Sequence, residues 1–138
     1  MRLSGLFIGP FGAVGDDVGC DYVVPDGKTT VVATRHGTRT LQAAAVELDH
    51  AIKLTFPDAK PVGGPMIASY PGQQTPLAGS WSCTFNGKPS ITSAWLAQVG
   101  DWLIEVRATY PATERHDHEL LASMAVINAQ MSIDKVNK

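Results

Sequence analysis

Residues 81–110 constrain the fold more than any other part of this 138-residue chain. Polar and apolar side chains alternate along three successive runs, with the period of two that is typical of half-buried strands. The dipeptides Asn86-Gly87 and Gly100-Asp101, which separate the runs, favour hairpin turns of types I′ and II′. The pattern therefore predicts three antiparallel strands in the second half of the chain.

The rest of the chain adds strands and two helices. The predicted strands are 3–8, 18–24, 29–36, 66–70, 81–85, 91–99 and 102–110. One helix is expected to begin near Thr38 or Thr40 and to end before Pro57, and a last helix is expected to be capped by Thr113. The two predicted apolar stripes, each with offsets of 0, 4, 7 and 11, are Leu41, Ala45, Leu48 and Ile52, and Leu120, Met124, Ile127 and Met131.

These elements follow the order β-β-β-α-β-β-β-β-α, which predicts an α+β fold. We expect one domain over residues 1–138, in which a twisted antiparallel sheet packs against two amphipathic helices. The three tryptophans, Trp81, Trp95 and Trp102, follow the apolar phase of their strands. They are interpreted as packing residues and not as a platform for bases or sugars.

Composition excludes some partners and limits the compartment. A net charge of −2 with 17% charged residues provides no basic stripe for phosphates, so nucleic acid is not an expected partner. No apolar run reaches the roughly 18 residues that span a bilayer. Glycines and the Asp16-Asp17 pair argue against an export signal in the first twenty residues. The expected compartment is cytoplasmic, or periplasmic if an export signal was removed or missed.

No catalytic or metal motif emerges from the nucleophilic and metal-binding side chains. Cys20 and Cys83 both lie in phase with apolar strand faces, so buried thiols are favoured, although a bridge between them remains an alternative. His116 and His118 are expected to be solvated residues in the first turn of the last helix. The pattern indicates no metal and no cofactor, and no Gly-x-Ser-x-Gly elbow is present.

Three residues are candidates for binding a ligand. Glu105 and Arg107 are two residues apart on one strand, so they share the less apolar face of the sheet. His36 ends a predicted strand. These side chains, Glu105, Arg107 and His36, form the predicted ligand-binding set.

The segment from Gly100 to Pro111, preceded by the Asn86-Gly87 hairpin and followed by a terminal helix, resembles bacterial proteins of the Mog1/PsbP/DcrB-like type. The resemblance covers about the last 60 residues in pattern and the remainder in element order. It implies an α+β domain with helices flanking a twisted antiparallel sheet. It also implies a binding or assembly module without catalysis, and it transfers no functional residue to this chain.

The functional hypothesis is therefore a bacterial binding module that recognises a protein or a small ligand without covalent chemistry, with a homodimer left open. The alternative is a cystatin-like or NTF2-like small-molecule-binding protein or enzyme, with a pocket on a curved sheet. A cavity lined by the candidate residues would favour the alternative, and a filled core with a flat apolar patch would favour the first hypothesis.

Overall fold

A computed structural model describes residues 5–10, 17–24, 27–35 and 40–136. Its strands are β1 Gly5–Pro10, β2 Asp17–Val24, β3 Gly27–Arg35, β4 Lys60–Val62, β5 Leu77–Phe85, β6 Lys88–Val99 and β7 Trp102–Pro111. Its helices are α1 Leu41–Thr55 and α2 Arg115–Val136, the latter preceded by a 3-10 turn at Ala112–Glu114. This order confirms the predicted α+β fold.

One antiparallel sheet of seven strands, in the order β1-β2-β3-β7-β6-β5-β4, organises the described residues. All neighbouring strands are consecutive in the chain except β3 and β7, which pair from Lys28 opposite Thr109 to Arg35 opposite Trp102. This pairing brings an early strand beside the last one. It therefore joins β1–β3 to the three predicted antiparallel strands, β5–β7, and makes β7 the central strand.

The predicted hairpin turns have the required backbone conformation. Asn86 and Gly87 have φ values of 51° and 75°, as a type I′ turn needs at both central positions. Gly100 has a φ of 56°, which fits the first central position of a type II′ turn. These turns fix the register of β5, β6 and β7.

The helix α1 begins and packs as the sequence predicts. The Thr40 hydroxyl accepts a hydrogen bond of 3.0 Å from the Ala43 amide, which satisfies one of the unpaired amides of the first turn. Ala44, Leu48 and Ile52 are buried. They pack on one face of the sheet against a cluster made of Trp81, Ala94, Leu96 and Leu103.

The helix α2 packs on the opposite face, against a larger core that includes Trp95, Trp102, Ile104 and Tyr110. All three tryptophans are buried, but they do not share a face: Trp81 lies under α1, whereas Trp95 and Trp102 lie under α2. Strand β6 is buried from Ser90 to Ala97 because both of its faces are covered.

The predicted apolar stripe of α2 is wrong. Leu120 is 46% exposed and Met124 is 54% exposed. The buried positions of α2 are His118, Glu119, Ala122, Ser123, Val126 and Gln130. Small residues let the helix approach the large side chains of β6 and β7, and two of the buried polar residues, Glu119 and Gln130, bind a neighbouring loop.

That loop, residues 63–74, is here called the strap. The predicted strand at 66–70 is wrong, because the fourth strand lies at Lys60–Val62 and the strap crosses the α2 side of the sheet without pairing. Side chains satisfy its backbone instead. The indole nitrogen of Trp95 donates to the Met66 carbonyl at 2.8 Å, and the Gln130 carbonyl oxygen accepts from the Tyr70 amide at 2.7 Å.

Neither of the helices in the described chain is long and apolar enough to cross a membrane.

Candidate functional site

The floor of a groove is formed by side chains of β3 and β7 on the face that α1 covers only in part. Register places Lys28 opposite Thr109, Thr30 opposite Arg107 and Val32 opposite Glu105. Because side chains alternate along a strand, these six residues point to the same face as three cross-strand pairs. All of them except exposed Lys28 are half-buried.

The walls of the groove come from the end of α1 and the end of β5. Thr55 and Phe56 lie at the end of α1, and Phe85 lies at the end of β5. The two phenyl rings meet edge to face, with centroids 6.3 Å apart and an interplanar angle of 78°. The groove is open on one side and has a volume of about 380 Å³, which lies within the usual range for small-molecule sites.

The groove carries an excess of positive charge. Lys28 and Arg107 are diagonal neighbours on the floor, since Lys28 is opposite Thr109 and Arg107 is two residues before it. Within the described residues, the Arg107 guanidinium makes no ion pair and no side-chain hydrogen bond. Glu105 has an interaction of its own. The arrangement suits an anionic group placed against Arg107.

The structure brings two of the three predicted site residues together. Glu105 and Arg107 line the same groove. His36 lies outside the described residues. Sequence reasoning missed Lys28, Thr30 and the two phenylalanines. The strand predicted at 29–36 left Lys28 outside, and no sequence signal showed that the face of Thr30 continues that of Glu105 and Arg107.

A second cavity, of about 210 Å³, lies between α1 and β5. Its lining is predominantly apolar and consists of Ala45, Leu48, Leu77, Ala78, Gly79, Trp81, Ala94 and Leu96. The indole nitrogen of Trp81 donates to Asp49 Oδ1 at 3.2 Å. Because no charged or hydroxyl side chain of the described residues lines this cavity, it is the weaker candidate for specific recognition.

A buried polar cluster lies beneath α2 and the strap. The Ser93 hydroxyl is 2.7 Å from both the Ser80 hydroxyl and the Tyr110 hydroxyl, and Tyr110 donates to Glu119 Oε1 at 3.2 Å. Arg115 Nε donates to the same carboxylate oxygen at 2.6 Å. Burial raises the pKa of Tyr110 well above its usual range, so the phenol keeps its proton.

This cluster anchors the strap and is not an accessible reactive site. Arg115 Nη2 donates to the carbonyls of Gly63 and Gly64, and Glu119 Oε2 accepts from the Met66 amide at 3.3 Å. Tyr110 is fully buried. Each polar group of the cluster has a protein partner that holds the strap or the helix in place.

The histidines differ from expectation at one position. His116 is exposed as predicted, but the prediction of a solvated residue is wrong for His118, which is 3% exposed. Its ring stacks on Tyr110 with centroids 5.2 Å apart. Within the described chain, no group of three or more histidine, cysteine or acidic residues could hold a metal ion.

The strand order excludes a bridge between the two cysteines. Cys20 is on β2 and Cys83 is on β5, four strand spacings apart, or roughly 19 Å. Bridged cysteines need Cα atoms within about 7 Å. Cys83 is a free, buried thiol, and burial raises its pKa, which disfavours the nucleophilic thiolate.

No protein-family model and no curated protein matches this chain. The chain is similar to the crystal structure of PA94, a protein of unknown function from Pseudomonas aeruginosa described as a putative regulator. The TM-score is 0.51 at 11% identity, over 91% of this chain and 81% of that chain. At this identity the likeness shows the fold alone, an α+β domain.

Two further solved structures match with lower TM-scores. LpqN of Mycobacterium tuberculosis, described as involved in cell envelope biogenesis, has a TM-score of 0.46 at 17% identity, over 94% of this chain and 80% of that chain. A protein from Bacteroides thetaiotaomicron has a TM-score of 0.43 at 14% identity, over 83% of this chain but 40% of that larger chain.

Proposed function

We propose that this protein is a non-catalytic module that binds a small ligand in the groove, on a scaffold of the Mog1/PsbP/DcrB-like kind. The cavity lined by Glu105 and Arg107 favours a pocket over a flat interaction surface. The observation that carries the proposal is Arg107, half-buried on the floor of a cavity of about 380 Å³ and without an ion pair among the described residues. A guanidinium in such a position is more costly to keep than an exposed one unless a ligand supplies its partner.

The scaffold beneath the groove supports recognition. Its floor belongs to β3 and β7, which lie in the middle of the sheet and are held from the other side by α2. Charged and hydroxyl side chains on such rigid strands keep their geometry better than side chains on loops. The floor can therefore orient a ligand without a large rearrangement.

The lining of the groove supports binding more than catalysis. Of its nine described lining residues, Glu105 is the one carboxylate, and none is a cysteine, serine or histidine. The buried Cys83 lies outside this lining. Two of the three threonine hydroxyls in the lining are engaged elsewhere, since Thr55 donates to the Ala51 carbonyl and Thr109 shares a hydrogen bond with Thr92, so neither is placed as the activated nucleophile that covalent catalysis requires.

The same cavity also favours the alternative function, a small-molecule-binding protein or enzyme of cystatin-like or NTF2-like shape. The groove has the volume of a ligand pocket and is lined by both described candidate residues, Glu105 and Arg107. Turnover of a bound ligand would distinguish this alternative from simple binding.

The proposed function is tested by filling the groove. Thr30→Tyr places a ring on the floor at a half-buried strand position, where an aromatic residue is well tolerated. Gln98→Tyr is the matched control, because Gln98 is half-buried on β6 and does not line the groove. A metabolite library is screened by thermal shift against both variants and the unchanged protein.

Ligands of the groove are expected to stabilise the unchanged protein and Gln98→Tyr, and to lose their effect on Thr30→Tyr, since only a native-state ligand shifts the melting temperature. Ligands that stabilise all three proteins equally would place recognition elsewhere and would overturn the proposed function.

A further inference from the structure

We infer that the ligand of the groove is a small aromatic oxyanion, which places a carboxylate or phosphate group on Arg107 and a flat ring against Phe56 and Phe85. The inference rests on the proposed function, because it names the chemical class of the ligand for that same groove. Three features of the described residues support it: the pair of cations, the aromatic wall and the elongated floor.

The pair of cations selects an anion. Lys28 and Arg107 are diagonal neighbours on one face of the sheet, and like charges at such spacing repel each other. An oxyanion between them removes this repulsion. The planar guanidinium of Arg107 presents two parallel N–H groups, which match the two oxygens of a carboxylate or phosphate. Thr30, directly opposite Arg107, adds a hydroxyl beside this position.

The negative groups near the groove do not cancel this preference. Glu105 has an interaction of its own and lies two residues from Arg107 on the same strand face, about as near as Lys28, so one carboxylate stands against the two cations. The carboxyl end of α1 contributes about half a negative charge, and among its last four carbonyls that of Ile52 accepts from the Phe56 amide. Two full cations against one carboxylate and this partial charge leave the groove with a net positive charge, which favours an anion.

The aromatic wall selects a flat apolar body. Phe56 and Phe85 are both half-buried, and their edge-to-face contact leaves ring surface directed to the groove. A third ring placed there gains the offset or edge-to-face geometry that aromatic pairs prefer. A saturated ring of equal size fills the same volume without that gain.

The floor sets the length of the ligand. Lys28 and Thr109 form one cross-strand pair, and Thr30 and Arg107 form the next. The register places Phe85 further along the sheet than the end of β7. Phe85 is opposite Lys88 of β6, whereas Pro111, the last residue of β7, is opposite Ser90 of β6. A ligand that contacts both Arg107 and the phenylalanines must therefore be longer than a single ring. A fused bicyclic acid is the smallest suitable probe.

The test uses probes of one shape and different charge. 2-Naphthoate, 2-naphthamide and 2-naphthamidine carry a negative, neutral and positive group on the same rings, 2-naphthyl phosphate replaces the carboxylate, and decahydro-2-naphthoate replaces the aromatic rings. Affinities are measured by calorimetry or by amide chemical shifts. We expect one of the two aromatic anions to bind at least about tenfold more tightly than the amide, and less tightly as salt rises.

Variants assign the contacts. Arg107→Gln is expected to lower the affinity for the aromatic anion by about tenfold and to leave the affinity for naphthamide unchanged. The affinity of Arg107→Lys for the anion should lie between those of Arg107→Gln and the unchanged protein. Phe85→Leu is expected to remove the preference for naphthoate over its saturated analogue. Lys53→Gln is the matched control, because Lys53 is an exposed cation that pairs with Asp49 outside the groove.

The outcomes separate this inference from the proposed function. If naphthamide or naphthamidine binds as tightly as both anions, and Thr30→Tyr abolishes that binding, the groove is a ligand site but its ligand is not an anion. The absence of binding by naphthoate and naphthyl phosphate overturns the inference alone, because the library screen tests the groove independently. Binding of an anion that persists in Thr30→Tyr counts against both.

Discussion

Gly27 on β3 and His118 on α2 meet with no room for a β-carbon. A Cβ built on Gly27 would lie 2.6 Å from His118 Cε1 and 3.0 Å from the Thr109 carbonyl oxygen. The imidazole cannot easily move, because it is buried and stacked on Tyr110. The absence of a side chain at Gly27 therefore permits the close approach of α2 to β3.

Gly27→Ala is expected to lower the free energy of unfolding by about 1–3 kcal/mol through this overlap, as measured by urea denaturation. Gly64→Ala is the matched control, because a Cβ there meets nothing within 4 Å. In a His118→Ala background the cost of Gly27→Ala should fall, since the two residues couple. An equal cost in both backgrounds would show that the ring is not the obstacle.

The alkaline stability of the protein should depend on Tyr110. Burial raises the pKa of its phenol, and the Glu119 charge adds to that rise. The folded state therefore binds the phenol proton more tightly than the unfolded state, whose pKa is near 10. The stabilising contribution is complete below about pH 10 and is lost as the pH rises further, towards the folded pKa.

Tyr110→Phe is expected to cost about 1 kcal/mol at neutral pH, because the Ser93 and Glu119 contacts are lost, and to flatten the loss of stability above pH 10. Urea midpoints at pH 8 and above pH 10 measure both effects. Tyr70→Phe, on the half-exposed ring of the strap, is the control. A Tyr110→Phe profile parallel to that of the unchanged protein would contradict the prediction.

At the scale of elements, the strap is held by side chains that bind its backbone. Gln130, which is fully buried, accepts from the Tyr70 amide at 2.7 Å and donates to the Ser69 hydroxyl at 3.2 Å. Arg115 and Glu119 hold the other end of the strap. The buried face of α2 therefore needs polar residues, and this explains why its apolar stripe was predicted at the wrong phase.

Gln130→Leu keeps the side-chain volume but leaves the Tyr70 amide without its partner. We expect the free energy of unfolding to fall by about 1–3 kcal/mol and hydrogen exchange to become faster at Tyr70 and along the strap. Asn128→Leu, an exposed amide on the same helix, should be nearly neutral. Unchanged exchange in the strap would show that Gln130 does not fasten it.

Local sequence patterns predicted most helices and strands, but they did not predict contacts between segments that are far apart in the chain. The turns at Asn86-Gly87 and Gly100 depend on residues within two positions of each other, so the sequence shows them directly. The strand predicted at 66–70 had suitable composition, but side chains of α2 and β6 bind its backbone instead. Such competition depends on residues far away in the chain.

At the scale of the whole molecule, some features of the candidate site also depend on local sequence and others on residues that are far apart in the chain. The shared face of Glu105 and Arg107 followed from the period of two along β7. The contribution of Lys28 depends on the pairing of β3 with β7 across more than seventy residues of chain, and that of Phe56 on the direction in which α1 ends over the sheet. The β7 half of the groove floor was therefore predictable from the sequence, whereas the β3 half and the walls were not.

The fold separates residues that stabilise it from residues that are proposed to bind, and two arginines provide the comparison. Arg115 makes a charge-assisted contact of 2.6 Å to Glu119, which is buried, and donates to two strap carbonyls. Arg107 has no such partner among the described residues and lies near Lys28. Equal substitutions at the two positions should therefore have unequal effects on stability.

Arg115→Gln should lower the free energy of unfolding by about 1.5–3 kcal/mol, because hydrogen bonds to a buried carboxylate are lost. Arg107→Gln should change it by less than about 0.5 kcal/mol or raise it slightly, since the substitution removes the repulsion from Lys28. Urea denaturation of both variants measures the contrast. If Arg107→Gln were as costly as Arg115→Gln, the Arg107 guanidinium would be a structural group and the reason for placing a ligand against it would disappear.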